Sequence, residues 1–202
     1  MRSVVTEADI PLSGELAIVA GSIVTPSARD LARERGVNLR ELAAGQRLAA
    51  AAPGSTVAIG SDHGGFQMKR GLLPVLAELG LTAIDAGVHE ERPADYPDIA
   101  LAVSQLVAGG QATRGIVIDG AGIGSCMAAN KVPGIRAALC YDIASARNSR
   151  EHNNANVLTL GGRLLTPSQA ETVMRTWLAA SFAGGRHQAR VDKIMEIERR
   201  RS

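Results

Sequence analysis

Gly115-Ile116-Val117-Ile118-Asp119-Gly120-Ala121-Gly122-Ile123-Gly124-Ser125 decides how the rest of the chain is read. Ile116, Val117 and Ile118 form a short apolar, β-branched run, the pattern of a strand buried on both faces. Asp119 stands where that strand ends, and Gly120, Gly122 and Gly124 alternate after it. Ser125 through Lys131 then reads as the first turns of a helix. A strand, a glycine loop and a helix start together aim several backbone N–H groups at one point. That suits an anion, either a phosphate or a developing oxyanion. Glycines after a strand also serve as a plain tight turn, so the loop needs support from the remaining sequence.

Strands and helices alternate on both sides of it. Thr56–Gly60 is a buried-type strand followed by Ser61-Asp62-His63-Gly64-Gly65. Phe66 to Leu79 carries apolar residues at three-to-four spacing and reads as a helix. Leu81–Asp85, Ile135–Cys140 and Val157–Leu160 are further strands. Helices are expected over Tyr96–Val107, Ile143–Glu151, Pro167–Ala180 and Val191–Arg200. Five strands alternating with helices predict an α/β fold, a parallel sheet covered on both faces. Ligands in such sheets bind at the C-terminal ends of the strands. Asp62 and His63 follow the first strand, Asp119 and the glycine loop the central one, and Gly161-Gly162-Arg163 the last. His152 and Asn153 close a helix before the last strand, Arg186, His187 and Arg190 lie near the C-terminus, and all of these are read as sharing a placement at the strand ends. Arginine offers bidentate phosphate recognition, histidine moves protons near neutral pH, and the glycine loop holds an oxyanion.

Composition narrows the function further. In 202 residues, 22 basic side chains face 20 acidic ones, a net charge of +2, so nothing marks a polyelectrolyte partner. Only 2% of residues are aromatic, too few for stacking platforms, which argues against nucleic acid. No apolar run reaches ~18 residues, so no membrane span is expected. The first residues lack the basic, apolar and cleavage segments of a secretory signal. Cys126 and Cys140 have no CxxC spacing and read as buried free thiols in a reducing cytosol, so a cytoplasmic setting is expected. No His/Cys/Asp cluster has metal-ligand spacing, and no metal or other cofactor is expected.

Residues 1–54 differ from the rest and are read as an extension and linker ahead of a domain over 55–202. Glu15 to Ile23 reads as a short strand. Thr25 can cap a helix that Pro26 begins and Gly36 stops. A second short helix is expected from Asn38 through Leu48, which makes the extension mostly helical. The segment VTPSARDLARERGVNLREL resembles the first half of the peripheral-subunit-binding modules of acyl-transfer complexes. The extension is therefore either a docking segment for a protein partner or a helical addition packed on the domain.

From about Val57 to Arg200 the chain resembles the type B ribose-5-phosphate isomerase and galactose-6-phosphate isomerase family. GSDHGGF, DYPD, GAGIGSCMAANKVPGIRA, REHNNANVLTLGGR and GGRHQARV carry the resemblance, in this order. It implies a Rossmann-like three-layer α/β/α sandwich, a homodimer or homotetramer with sites between subunits, and metal-free interconversion of aldose and ketose phosphates of the ribose 5-phosphate/ribulose 5-phosphate type. His152 matches the histidine that opens the sugar ring, with Asp62 assisting. Gly120, Ala121, Gly122, Gly124 and Ser125 match the loop that stabilises a cis-enediolate. Asn153 and Tyr96 match contacts to substrate hydroxyls. His63, Arg163, Arg186 and Arg190 match positions at the phosphate end. The base departs from the pattern. Many members place a cysteine where this chain has Asp119, and another branch places a glutamate where it has Ser125. An aspartate here looks like the A subunit of galactose-6-phosphate isomerase. Three readings stay open: Asp119 is the base, the chain needs a partner subunit, or it binds sugar phosphate without isomerising it. The first is the reading adopted. Ala121 and the Val88–Arg92 loop are candidates for setting sugar length.

Overall fold

The computed structural model describes residues 4–5, 10, 15–19, 23–42 and 55–200. The chain divides into two compact units, Met1–Ala49 and Ala50–Ser202. In the first, β1 (Val4–Val5) pairs in parallel with β3 (Ile23–Val24), and β2 (Glu15–Val19) with β4 (Asn38–Leu42). Between β3 and β4 runs α1 (Pro26–Glu34), begun as the sequence predicts: Thr25 Oγ1 accepts the Ala28 N–H at 3.2 Å, and Pro26 takes the first turn. Ala28 and Ala32 of α1 pack with Ile10, Val24 and Val37.

Two expectations are corrected here. The described part of the Asn38–Leu48 helix is the strand β4, and residues 43–48 lie outside the described residues. The described extension is therefore four short strands around one helix, not mostly helical. Asn-Leu-Arg-Glu-Leu has ordinary helix propensity, but pairing along the whole of β2 satisfies its backbone and overrides that weak preference.

The second unit is the expected sandwich. Its strands β5 (Thr56–Ser61), β6 (Thr82–Asp85), β7 (Arg114–Asp119), β8 (Ala137–Leu139) and β9 (Val157–Gly161) form one parallel sheet in the order β6-β5-β7-β9-β8. Helices α2 (Phe66–Glu78), α3 (Tyr96–Ala108), α4 (Ile123–Ala129), α5 (Ile143–Glu151), α6 (Pro167–Ala179) and α7 (Gln188–Arg199) follow in turn. Alternate side chains of the strands feed two cores, as the pleat requires. Ile59, Ile116, Ile118, Leu158 and Leu160 pack with Leu72 and Leu76 of α2 and with Met174 and Trp177 of α6. Ala58, Val117 and Val157 meet Ala100 and Val103 of α3 and Ala129 of α4 on the other face. Every one of these is fully or almost fully buried. Because the sheet is all parallel, its strands start at one edge and finish at the other. The helices return antiparallel between them, so their C-terminal ends lie at the edge where strands begin.

Candidate active site

Asp119 is the last residue of β7 and is 5% exposed. Gly122 stands at φ 79°, a left-handed turn that glycine adopts without strain. That turn folds the loop back over the strand end, so its N–H groups point at the Asp119 side chain. Oδ1 accepts from Ala121 N at 2.7 Å and from Gly122 N, while Oδ2 accepts from Ser125 N at 2.9 Å. The nest of donors anticipated from the glycine pattern exists, and the chain's own carboxylate sits in it. Ser125 Oγ is buried beside it without a hydrogen-bond partner.

Neighbouring strand ends close around this loop. Asp62 follows β5, donates its N–H to Ile118 O at 3.2 Å, and turns its Oδ1 back to accept Gly65 N at 3.1 Å. His63, on the same turn, is exposed. Beyond β9, Gly162 N bonds to Asp119 O at 2.7 Å and Arg163 N to Gly120 O at 3.0 Å, so the Arg163 backbone is tied to the glycine loop. Tyr96 opens α3 and lays its ring on Gly124, where a Cβ would stand 2.5 Å from the ring. Tyr141, just past β8, donates its hydroxyl to Ala121 O at 2.7 Å. Asp62, His63, Tyr96, Asp119, Gly120–Ser125 and Arg163 thus share the C-terminal edge of the sheet.

The remaining predicted residues gather elsewhere. His152 caps the C-terminus of α5, and Asn153 follows it, shortly before β9 begins. That is the opposite edge, and β7 alone spans about 17 Å between the two. Placement of all candidates at strand ends is therefore corrected. Asn148 Nδ2 lies 2.8 Å from His152 Nδ1, which in the neutral ring leaves the proton on Nε2. The His152 imidazole stacks on His187 with centroids 4.1 Å apart and planes 7° apart. Arg186 precedes His187, its Nε 3.5 Å from His187 Nε2, and Arg190 follows in the first turn of α7. Loss of hydration, then the charges of His152, Arg186 and Arg190, push the His187 pKa below the ordinary histidine value. The second cluster is thus cationic and carries two imidazoles.

Sequence reading missed Tyr141, although its place one or two residues past a strand was a usable signal. It noted His187 without giving it a part. Among the described residues, no three His, Cys, Asp or Glu side chains gather as a metal would need, and no helix is long and apolar enough to cross a membrane.

A parallel α/β sheet with a glycine loop on its central strand and two polar clusters at opposite edges defines a Rossmann-like class of protein. The family comparison is specific: residues 57–194 match the family described as Ribose/Galactose Isomerase. The ribose-5-phosphate isomerase B of Escherichia coli (strain K12) is 44% identical over 146 residues, covering 72% of this chain and 98% of that one. The D-erythrulose-4-phosphate isomerase of Pectobacterium atrosepticum is 40% identical over 141 residues, 69% and 92% of the two chains. The solved ribose-5-phosphate isomerase B of Clostridium thermocellum superposes with a TM-score of 0.72 at 50% identity, covering 73% of this chain and 99% of that one. The chain belongs to this family of isomerases.

Proposed function

We propose that the chain interconverts an aldose phosphate and its ketose, moving a proton between C1 and C2 through a cis-enediolate, in sites that two copies complete together. The relatives named for ribose 5-phosphate and erythrulose 4-phosphate support the substrate class. The observation that carries the reading is the division of the site. Asp62, Asp119 and Arg163 lie at one edge, and His152, Arg186 and Arg190 at the other. A sugar phosphate held by all of them requires the C-terminal edge of one copy to face the opposite edge of a second. Exposed Ile123 and Met127, one turn apart on α4 beside the site, offer apolar surface for such pairing.

In this arrangement His152, donating from Nε2, protonates the ring oxygen while Asp62 takes the proton of the anomeric hydroxyl. Asp119 then moves the C2 proton. Three of its lone-pair directions are filled by the loop, which leaves one on Oδ2 to accept the C2 proton. As the proton arrives, negative charge passes from carboxylate to enediolate, and the same N–H groups stay beside it. The first-turn N–H groups of Ile123 and Gly124 have no partner within α4 and add to them. Asn153 and Tyr96 hold substrate hydroxyls. His63 and Arg163 from one copy, with Arg186 and Arg190 from the other, hold the phosphate. The free thiols of Cys126 and Cys140 fit a reducing compartment, and we place the protein in the cytoplasm.

The three N–H bonds also favour a second reading, in which Asp119 only braces the loop and the chain binds sugar phosphate without isomerising it, or does so only beside a partner subunit. Solvent-deuterium incorporation at C2 of four-, five- and six-carbon aldose phosphates separates the two. Exchange by the purified chain establishes the isomerase and reveals its sugar. Binding without exchange on every sugar supports the second reading.

A further inference from the structure

Two residues after Arg150 stands His152, and the turn between them is built around the Arg150 guanidinium. Arg150 is only 2% exposed, yet among the described residues no carboxylate pairs with it. Its partners are neutral oxygens of the turn and of α6's end: NH1 donates to Asn154 Oδ1 at 2.9 Å and to Ala155 O at 2.5 Å, and Nε to Ala180 O at 3.3 Å. Its plane lies over the Trp177 ring, 5.6 Å from the centroid. Asn154 answers from the other side. It sits at φ 47°, the only non-glycine with positive φ among the described residues, and its N–H returns to Arg150 O at 3.1 Å. Its carbonyl accepts Arg136 Nε at 3.0 Å, so a second guanidinium closes the turn from outside.

A left-handed backbone is unfavourable for any residue but glycine, and burial of a guanidinium beside Arg114 and Arg136 is unfavourable too. Burial first, then those two charges, hold the Arg150 pKa down to about 10. Such costs persist where the geometry they fix is used. The guanidinium is a rigid planar fork that holds its acceptors at fixed angles, whereas the three donors of an ammonium rotate freely.

We infer that Arg150 and Asn154 are positioning residues that fix the His152 imidazole against His187 by locking the turn from 152 to 155. This rests on the assignment of His152 to ring opening, and it implies that only the ring-opening step depends on them. Ribose 5-phosphate closes a furanose through O4 and must be opened. Ribulose 5-phosphate cannot close one, because its O5 is esterified, so proton exchange from it bypasses His152.

The test therefore compares conversion of ribose 5-phosphate with solvent-deuterium exchange into ribulose 5-phosphate, for wild type, Arg150→Lys, Asn154→Ala and Asn154→Gly. Ribose 5-phosphate turnover should fall about 10- to 100-fold in Arg150→Lys and Asn154→Ala, with exchange into the ketose within about twofold of wild type. Asn154→Gly, which takes the left-handed backbone freely, should recover part of the loss. Parallel loss of both reactions, or of neither, overturns the proposal. Should wild type act on neither sugar, the isomerase assignment fails separately, and the His187 titration seen by NMR decides the positioning: a midpoint rising toward the ordinary histidine value in folded Asn154→Ala supports it, and an unchanged midpoint overturns it.

Discussion

Asp119→Asn separates the two jobs given to one carboxylate. An asparagine of the same shape can keep its carbonyl oxygen on the Ala121 and Gly122 N–H groups, but its amide then faces the Ser125 N–H, donor against donor. Loss of charge from two bonds costs about 1–3 kcal/mol together, and the orphaned buried Ser125 donor about 1–3 more. A total of about 2–6 kcal/mol corresponds to a Tm lowered by about 4–24 °C in a chain of this size. Loss of the base costs about 10²- to 10⁴-fold in proton transfer. Thermal unfolding and solvent-deuterium exchange, both at a temperature where circular dichroism shows the variant folded, read the two effects separately. A lowered Tm with exchange still within about twofold of wild type would falsify the role of Asp119 as base and leave it as a brace of the loop.

Other perturbations act on single features. Tyr141→Phe removes the hydroxyl bond to Ala121 O; thermal melts should show a loss of about 1 kcal/mol or less, while kcat falls several-fold as the loop loosens. His187 has a folded-state pKa below its ordinary value near 6.5, so as pH falls the unfolded chain takes the proton first. Its contribution to stability is complete above about pH 6.5 and declines below it. Between pH 7.5 and 5.5 the Tm of wild type should therefore drop further than that of His187→Gln, and equal slopes contradict the assignment. Deletion of residues 1–54 should leave isomerase turnover intact if the extension serves a protein partner; a folded truncation without turnover contradicts that role.

The sheet was legible because Val57–Ile59 and Ile116–Ile118 are apolar on both faces, and Val157–Leu160 is so but for Thr159, a pattern that a two-sided core explains. The glycine loop was legible too, since Gly122 meets a conformation other residues avoid. What fills that loop was not. Periodicity carries no record of where the Asp119 side chain turns, and a carboxylate expected to face substrate also serves the loop's own N–H groups. The Asn38–Leu42 strand was missed because its pairing partner lies more than twenty residues away, beyond any local window. His152 was placed at the wrong edge for a different reason. Its position at the end of α5 was read correctly, but the antiparallel return of a helix was not carried through to the edge it reaches. Arg150 and Asn154 look like ordinary polar residues in sequence, and only burial and a positive φ distinguish them.

If isomerisation takes place in sites shared by two copies, as proposed, subunit complementation reveals it. Asp119→Asn damages one edge and His152→Asn the other, and each alone should be inactive on ribose 5-phosphate. Co-expressed, the two variants form mixed dimers in which one site in two draws both halves from undamaged edges. Half the dimers being mixed, about a quarter of wild-type turnover should return. A mixture as inactive as its two parents would mean that both edges serve a site within one chain, or no site at all, and would overturn the shared site.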